Sequence, residues 1–112
     1  MSRYYVVVPR SQDDEWNDMI DFDTNDSREF SSEEYRELRF SSGVYDEFDK
    51  KFETIIDDCE EDEIGRNDIK KAIKIVKDYL DKNASSQACK KLLKCLEDAA
   101  DRGVGVCFIN LP

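Results

Sequence analysis

Carboxylates are the one reactive side chain this sequence holds in quantity, 27 Asp and Glu among 112 residues with no histidine at all. Many carboxylate pairs, such as Asp13 with Asp14 or Glu33 with Glu37, could be imagined as a general acid and base. That chemistry also needs carboxyls in a pocket with separated pKa values, or a bound metal, and an acid-rich polar sequence isolates no such pair. The absence of histidine removes Ser/His and Cys/His nucleophiles and the commonest metal ligand. The expectation is a protein that is not an enzyme and carries no cofactor or metal.

Two further constellations invite a chemical reading. Cys59, Cys89, Cys95 and Cys107 form no C-x-x-C, and Cys89 and Cys95 stand six apart on an expected helix, about 240° around its axis. Each lies within an apolar pattern, so all four are expected as reduced, packed side chains. Residues 21 to 29, DFDTNDSRE, place oxygen ligands at the first, third, fifth and ninth positions of a calcium loop. Asp26 stands where the turn needs glycine, however, and Ser32 where a bidentate Glu is required, so the segment from Asp21 to Glu29 reads as a solvated acidic loop.

Charge is distributed unevenly. The first 63 residues carry 21 acids against 7 Lys and Arg, a charge of −14, while the last 49 sum to +4. Trp16 sits among Asp13, Asp14, Glu15 and Asp18, with Asp21 and Asp23 following. An aromatic anchor ringed by carboxylates suits a basic protein partner, since charge steers the encounter and the ring supplies buried area. The alternative is a Trp16 in the core with acids that only solubilise. The expected partner surface comprises those residues with Glu33, Glu34, Glu37, Asp57, Asp58, Glu60, Glu61, Asp62 and Glu63. The lysines at 70, 71, 74 and 77 read as a solvent face, because −14 elsewhere on so small a body repels nucleic-acid phosphates.

Elements that would position these groups follow from periodicity. Arg3 to Val8 is an aromatic, β-branched strand, apolar on nearly both faces and stopped by Pro9. Trp16, Met19 and Ile20 suggest a short helix over 13–22. Ser31 and Glu34 form a capping box that starts a helix at Ser32, running to about Arg39. Tyr45, Phe48, Phe52, Ile55, Ile56 and Cys59 predict one amphipathic helix with Glu60 to Glu63 at its C-terminus. Asn67 is the expected cap of a third helix with Ile69, Ala72, Ile73, Val76, Tyr79 and Leu80 inward. Ser85 or Ser86 caps a fourth, with Cys89, Leu92, Leu93, Leu96, Ala99 and Ala100 inward and Gly103 ending it. Val104 to Leu111 reads as a second strand, with Gly105 permitting a bulge or a close backbone approach.

The order strand, helices, strand gives an α+β class, mainly helical, as a single domain over 1–112. The terminal strands are expected to pair and pack on the helices. Two strands are marginal, so either Leu38 to Phe40 adds a third or a partner chain completes an edge. No segment approaches the length of a membrane span or a signal-peptide core, so a cytoplasmic location is expected.

The stretch Leu96 to Leu111 (LEDAADRGVGVCFINL), with the acidic composition, resembles immunity proteins of bacterial toxin systems. The acidic front half is similar to phage-encoded inhibitors that mimic DNA. The resemblance implies a bacterial or phage inhibitor with a single cognate enzyme as partner. The acidic residues themselves lead to the expectation of one basic protein partner, such as a toxin or nuclease, whose groove they occlude, with no direct nucleic-acid or membrane binding. It carries over no functional residue. The alternative expectation is a homo-oligomeric structural or adaptor protein, pairing with its own copy through a strand edge.

Overall fold

A computed structural model describes residues 3–12, 25–54, 56 and 62–111. The elements in order are β1 (Arg3–Pro9), β2 (Asn25–Phe30), α1 (Ser32–Arg36), a π-helical turn (Glu37–Ser41) and α2 (Val44–Phe52). There follow β3 (Asp62–Ile64), a 3₁₀ turn (Arg66–Asp68), α3 (Ile69–Lys82), α4 (Gln87–Arg102) and β4 (Val106–Leu111). The class is α+β: four antiparallel strands in the order β2-β1-β4-β3, with helices against the sheet.

The terminal strands β1 and β4 pair as expected, Tyr5 opposite Ile109 and Val6 opposite Phe108. Their alternation divides the apolar residues between two faces. Val6, Val8, Val106 and Phe108 join the main core with Leu38, Phe48, Ile69, Val76, Leu92 and Leu96, whereas Val7, Cys107 and Ile109 form a smaller cluster on the other face. β1 is thus apolar on both sides because both are covered.

The shortage of strands is met within the chain. Leu38 to Phe40 is helical, and β2 and β3 supply the missing edges. β2 corrects the second part of the loop expected from Asp21 to Glu29: Asn25 to Phe30 is extended and paired residue by residue with β1, while residues 21–24 lie outside the described residues. Asp26 is anchored by Arg10 at 3.2 Å and Arg102 at 2.8 Å. β3 corrects the acidic helix end, because Asp62 and Glu63 lie opposite Phe108 and Cys107 in the sheet.

The helix expected through Cys59 stops at Phe52. Glu53 adopts the left-handed conformation (φ 56°). Asp49 Oδ1 then accepts from Thr54 Oγ at 2.8 Å and from the Ile56 N–H at 3.1 Å, while its Oδ2 meets Arg39 Nη2 at 2.6 Å. One carboxylate therefore fixes the segment that follows the helix by accepting from its donors, and Ile56 reaches the core from outside the helix. The helix expected over 13–22, and Trp16 with it, lies outside the described residues.

Local start and stop signals otherwise hold. The capping box is complete, with Ser31 Oγ accepting from the Glu34 N–H at 3.1 Å and Glu34 Oε1 from the Ser31 N–H at 2.8 Å. Ser86 caps α4, and Gly103 closes it at φ 69°. Asn67 does not cap α3; it falls inside the 3₁₀ turn, and Asp68 precedes the helix without a side-chain cap. Ala100 is exposed, not inward. Gly105 makes the close approach its type allows, since a Cβ there would lie 2.4 Å from the Ile64 carbonyl oxygen.

Candidate functional site

The π-helical turn is the irregular element that shapes the surface. It widens the ladder so that the Ser42 N–H donates to the Glu37 carbonyl at 2.8 Å, five residues back, and single π turns of this kind recur at functional sites. Leu38 holds the turn from below, fully buried. Ser42 Oγ donates to the Leu38 carbonyl at 3.2 Å and accepts from the Val44 N–H at 3.1 Å. Phe40, on the outer side, is 75% exposed, the one large apolar side chain among the described residues left in water.

Next to Phe40 in the chain, Ser41 lines an open groove of about 520 Å³. Glu33 and Arg36 of α1 and Glu37 of the turn form one wall. Tyr79 of α3, with Asn83, Ser85 and Ser86 of the α3–α4 connection, forms the other. The Ser86 hydroxyl ties the walls together, donating to Glu37 Oε2 and accepting from the Cys89 N–H at 3.2 Å. Asn83 Nδ2 donates to the Tyr79 carbonyl at 3.2 Å. Burial, reinforced by Cys89 and Glu37, raises the Tyr79 hydroxyl above its ordinary pKa, so it stays a neutral phenol at physiological pH.

The predicted acids are divided among separate places. Glu33 and Glu37 share the groove. Glu34 serves the fold, bound by Ser31 and by Lys91 Nζ at 3.1 Å. Asp62 and Glu63 stand on β3, at the opposite edge of the sheet from β2. Asp13, Asp14, Glu15, Trp16, Asp18, Asp21, Asp23, Asp57, Asp58, Glu60 and Glu61 lie outside the described residues. Phe40, Tyr79, Asn83 and Ser85 were missed as surface features. Phe40 was accessible to periodicity: with Tyr35 and Leu38 inward, it falls about 140° from Tyr35 around an α-helix, off the core face.

Lys70, Lys71, Lys74 and Lys77 are exposed on α3. Lys71, Lys74 and Lys94 pair locally with Asp68, Asp78 and Asp98 along their own helices, while Lys91 and Arg102 reach across to Glu34 and Asp26. Cys89, Cys95 and Cys107 are buried among apolar side chains. Burial pushes the Cys95 thiol up to about 11 and raises Cys89 as well. Among the described residues no group of three or more Cys, Asp or Glu is placed to hold a metal ion, and no helix is long and apolar enough to cross a membrane.

Comparison with protein-family models, with curated proteins and with solved structures finds no match to this chain.

Proposed function

We propose that this chain is a small acidic inhibitor that binds a basic protein and occludes the surface that partner uses on nucleic acid or substrate. The observation that carries the reading is Phe40, exposed on a π-helical turn beside a groove that also presents Glu33 and Glu37. Burying such a ring on a partner contributes about 2 kcal/mol before ordering costs are met. The −14 of the first 63 residues speeds the encounter by long-range attraction. In the inhibitor reading, immunity or DNA-mimic in type, carboxylates stand where nucleic-acid phosphates would otherwise sit.

Two variants test it. Phe40→Ala with Glu33→Lys changes two exposed side chains and should abolish partner binding without unfolding the protein. Charge reversal of Asp13, Asp14, Glu15 and Asp18 to Lys should slow association more than it speeds dissociation, as for steering charges. Full binding by both variants would rule the surface out. A homo-oligomer built on an apolar strand edge would instead persist in high salt, where steered binding weakens as the Debye length falls from ~10 Å at 0.1 M to ~3 Å at 1 M.

A further inference from the structure

We infer that the groove between the π-helical turn and the α3–α4 connection is a receptor for an arginine side chain of the partner. This deepens the inhibitor reading and rests on it. A guanidinium presents five donors in a planar fork, so its receptor needs several convergent acceptors and a flat apolar or aromatic wall. The groove supplies both. Glu37 lines the groove and accepts from Ser86 through Oε2, so among the described residues Oε1 carries no hydrogen bond. Asn83 commits its amide nitrogen to the Tyr79 carbonyl, so Oδ1 is the end left to accept. The Glu33 carboxylate has no ion-pair or hydrogen-bond partner among the described residues, and the Tyr79 ring offers a half-buried face for stacking. A lysine ammonium would use fewer of these acceptors and would lose the planar stack.

Arg36 lines the same groove yet forms no ion pair within it. Its charge opposes an incoming cation, which sets the sign of one test. The wall carries two carboxylates against this one guanidinium, and the balance favours a cation.

The test is an NMR titration of the full chain with acetylated, amidated Gly-Arg-Gly and its Gly-Lys-Gly counterpart, following the backbone amides of Glu37, Ser41, Asn83 and Ser85. The arginine peptide should shift these amides saturably and bind about threefold or more tighter than the lysine peptide. Glu37→Gln, which keeps an acceptor for Ser86, and Tyr79→Leu should each weaken the arginine peptide by about fivefold. Arg36→Ala should tighten it by about twofold. Equal shifts by both peptides, or shifts spread without saturation over the acidic surface, would overturn the arginine assignment. Partner binding through Phe40 would be unaffected by that outcome, because it is read separately in a Phe40→Ala protein, which leaves the Glu33 and Glu37 carboxylates of the groove in place. Circular dichroism and thermal melting of each variant confirm that the fold is retained.

Discussion

Lys91 Nζ stands 3.1 Å from Glu34 Oε1 and 4.6 Å from the centre of the Phe30 ring, and it also donates to the Glu29 carbonyl. One ammonium on α4 thereby clamps the end of the edge strand β2 and the capped start of α1, the two elements that lead into the π-helical turn. Both charged side chains are about three-quarters buried, so the pair is less screened than a surface contact. Lys91→Met should keep the stem's packing and lose the charge, destabilising the protein by about 1–2 kcal/mol in urea unfolding at pH 7.

The same contact gives a pH signature. Burial alone would raise the Glu34 pKa, but the Ser31 N–H and the Lys91 ammonium more than offset it and hold the carboxyl below its ordinary 4.5. Asp26 is likewise held below 3.8 by Arg10 and Arg102 against its own desolvation. Depressed carboxyl pKa values stabilise the fold above the unfolded-state values and lose that contribution as pH falls through the folded-state values. Stability should therefore change little through Glu34 between pH 7 and 5 and decline below about 4.5. Lys91→Met should flatten that decline, which urea midpoints at pH 7, 5 and 3.5 would measure.

Gly105→Ala should be among the most damaging single-methyl additions in the chain. The added carbon would meet the Ile64 carbonyl oxygen at 2.4 Å, on the backbone where β3 joins β4. We expect a loss of about 2 kcal/mol or more, since backbone cannot yield as a flexible side chain would. A melting temperature within a degree of the parent would show that β3 does not dock there.

Glu53→Gly should act in the opposite direction. Glu53 occupies the left-handed region at φ 56°, which costs a side-chain-bearing residue about 1–2 kcal/mol. Glycine removes that strain and gives back part of the gain through the entropy of the unfolded chain. The net expectation is about +0.5 kcal/mol in unfolding free energy.

Cys95 should resist alkylation in the native state. It is 4% exposed and its thiol is pushed up to about 11 by burial, so little thiolate forms at neutral pH. Iodoacetamide should label it only at the rate of unfolding, and mass spectrometry of native and urea-treated protein would show the contrast.

The parts of this architecture that could be read from sequence are those specified locally. Ser31 with Glu34, Ser86 and Gly103 each act on a backbone group within a few residues, and all behave as their types and spacing require. β2 was illegible because Asn25-Asp26-Ser27-Arg28-Glu29 has no β-branched or alternating pattern. Its pairing comes from β1, its Asp26 is anchored by Arg10 and Arg102, and its Glu29 carbonyl accepts from Lys91, all set by residues well separated in sequence. The early end of α2 depends on Asp49 reaching Thr54 and Ile56, which helical periodicity cannot register. The groove unites Glu33 and Glu37 with Tyr79, Asn83 and Ser85 through the packing of α1 and the π-helical turn beside the α3–α4 connection. Only the carboxylates of that set were marked by composition.

The most direct test of the central claim compares the wild-type protein with the Phe40→Ala, Glu33→Lys variant as immobilised baits for extract of the source cells. Bound material would be eluted by a salt gradient and identified by mass spectrometry. The inhibitor account predicts one stoichiometric basic protein, retained by the wild type at low salt, released at moderate salt and absent from the variant. The purified protein should then lose its own activity when the wild type is added back. Equal retention by both baits, or self-association alone that survives high salt, would contradict it.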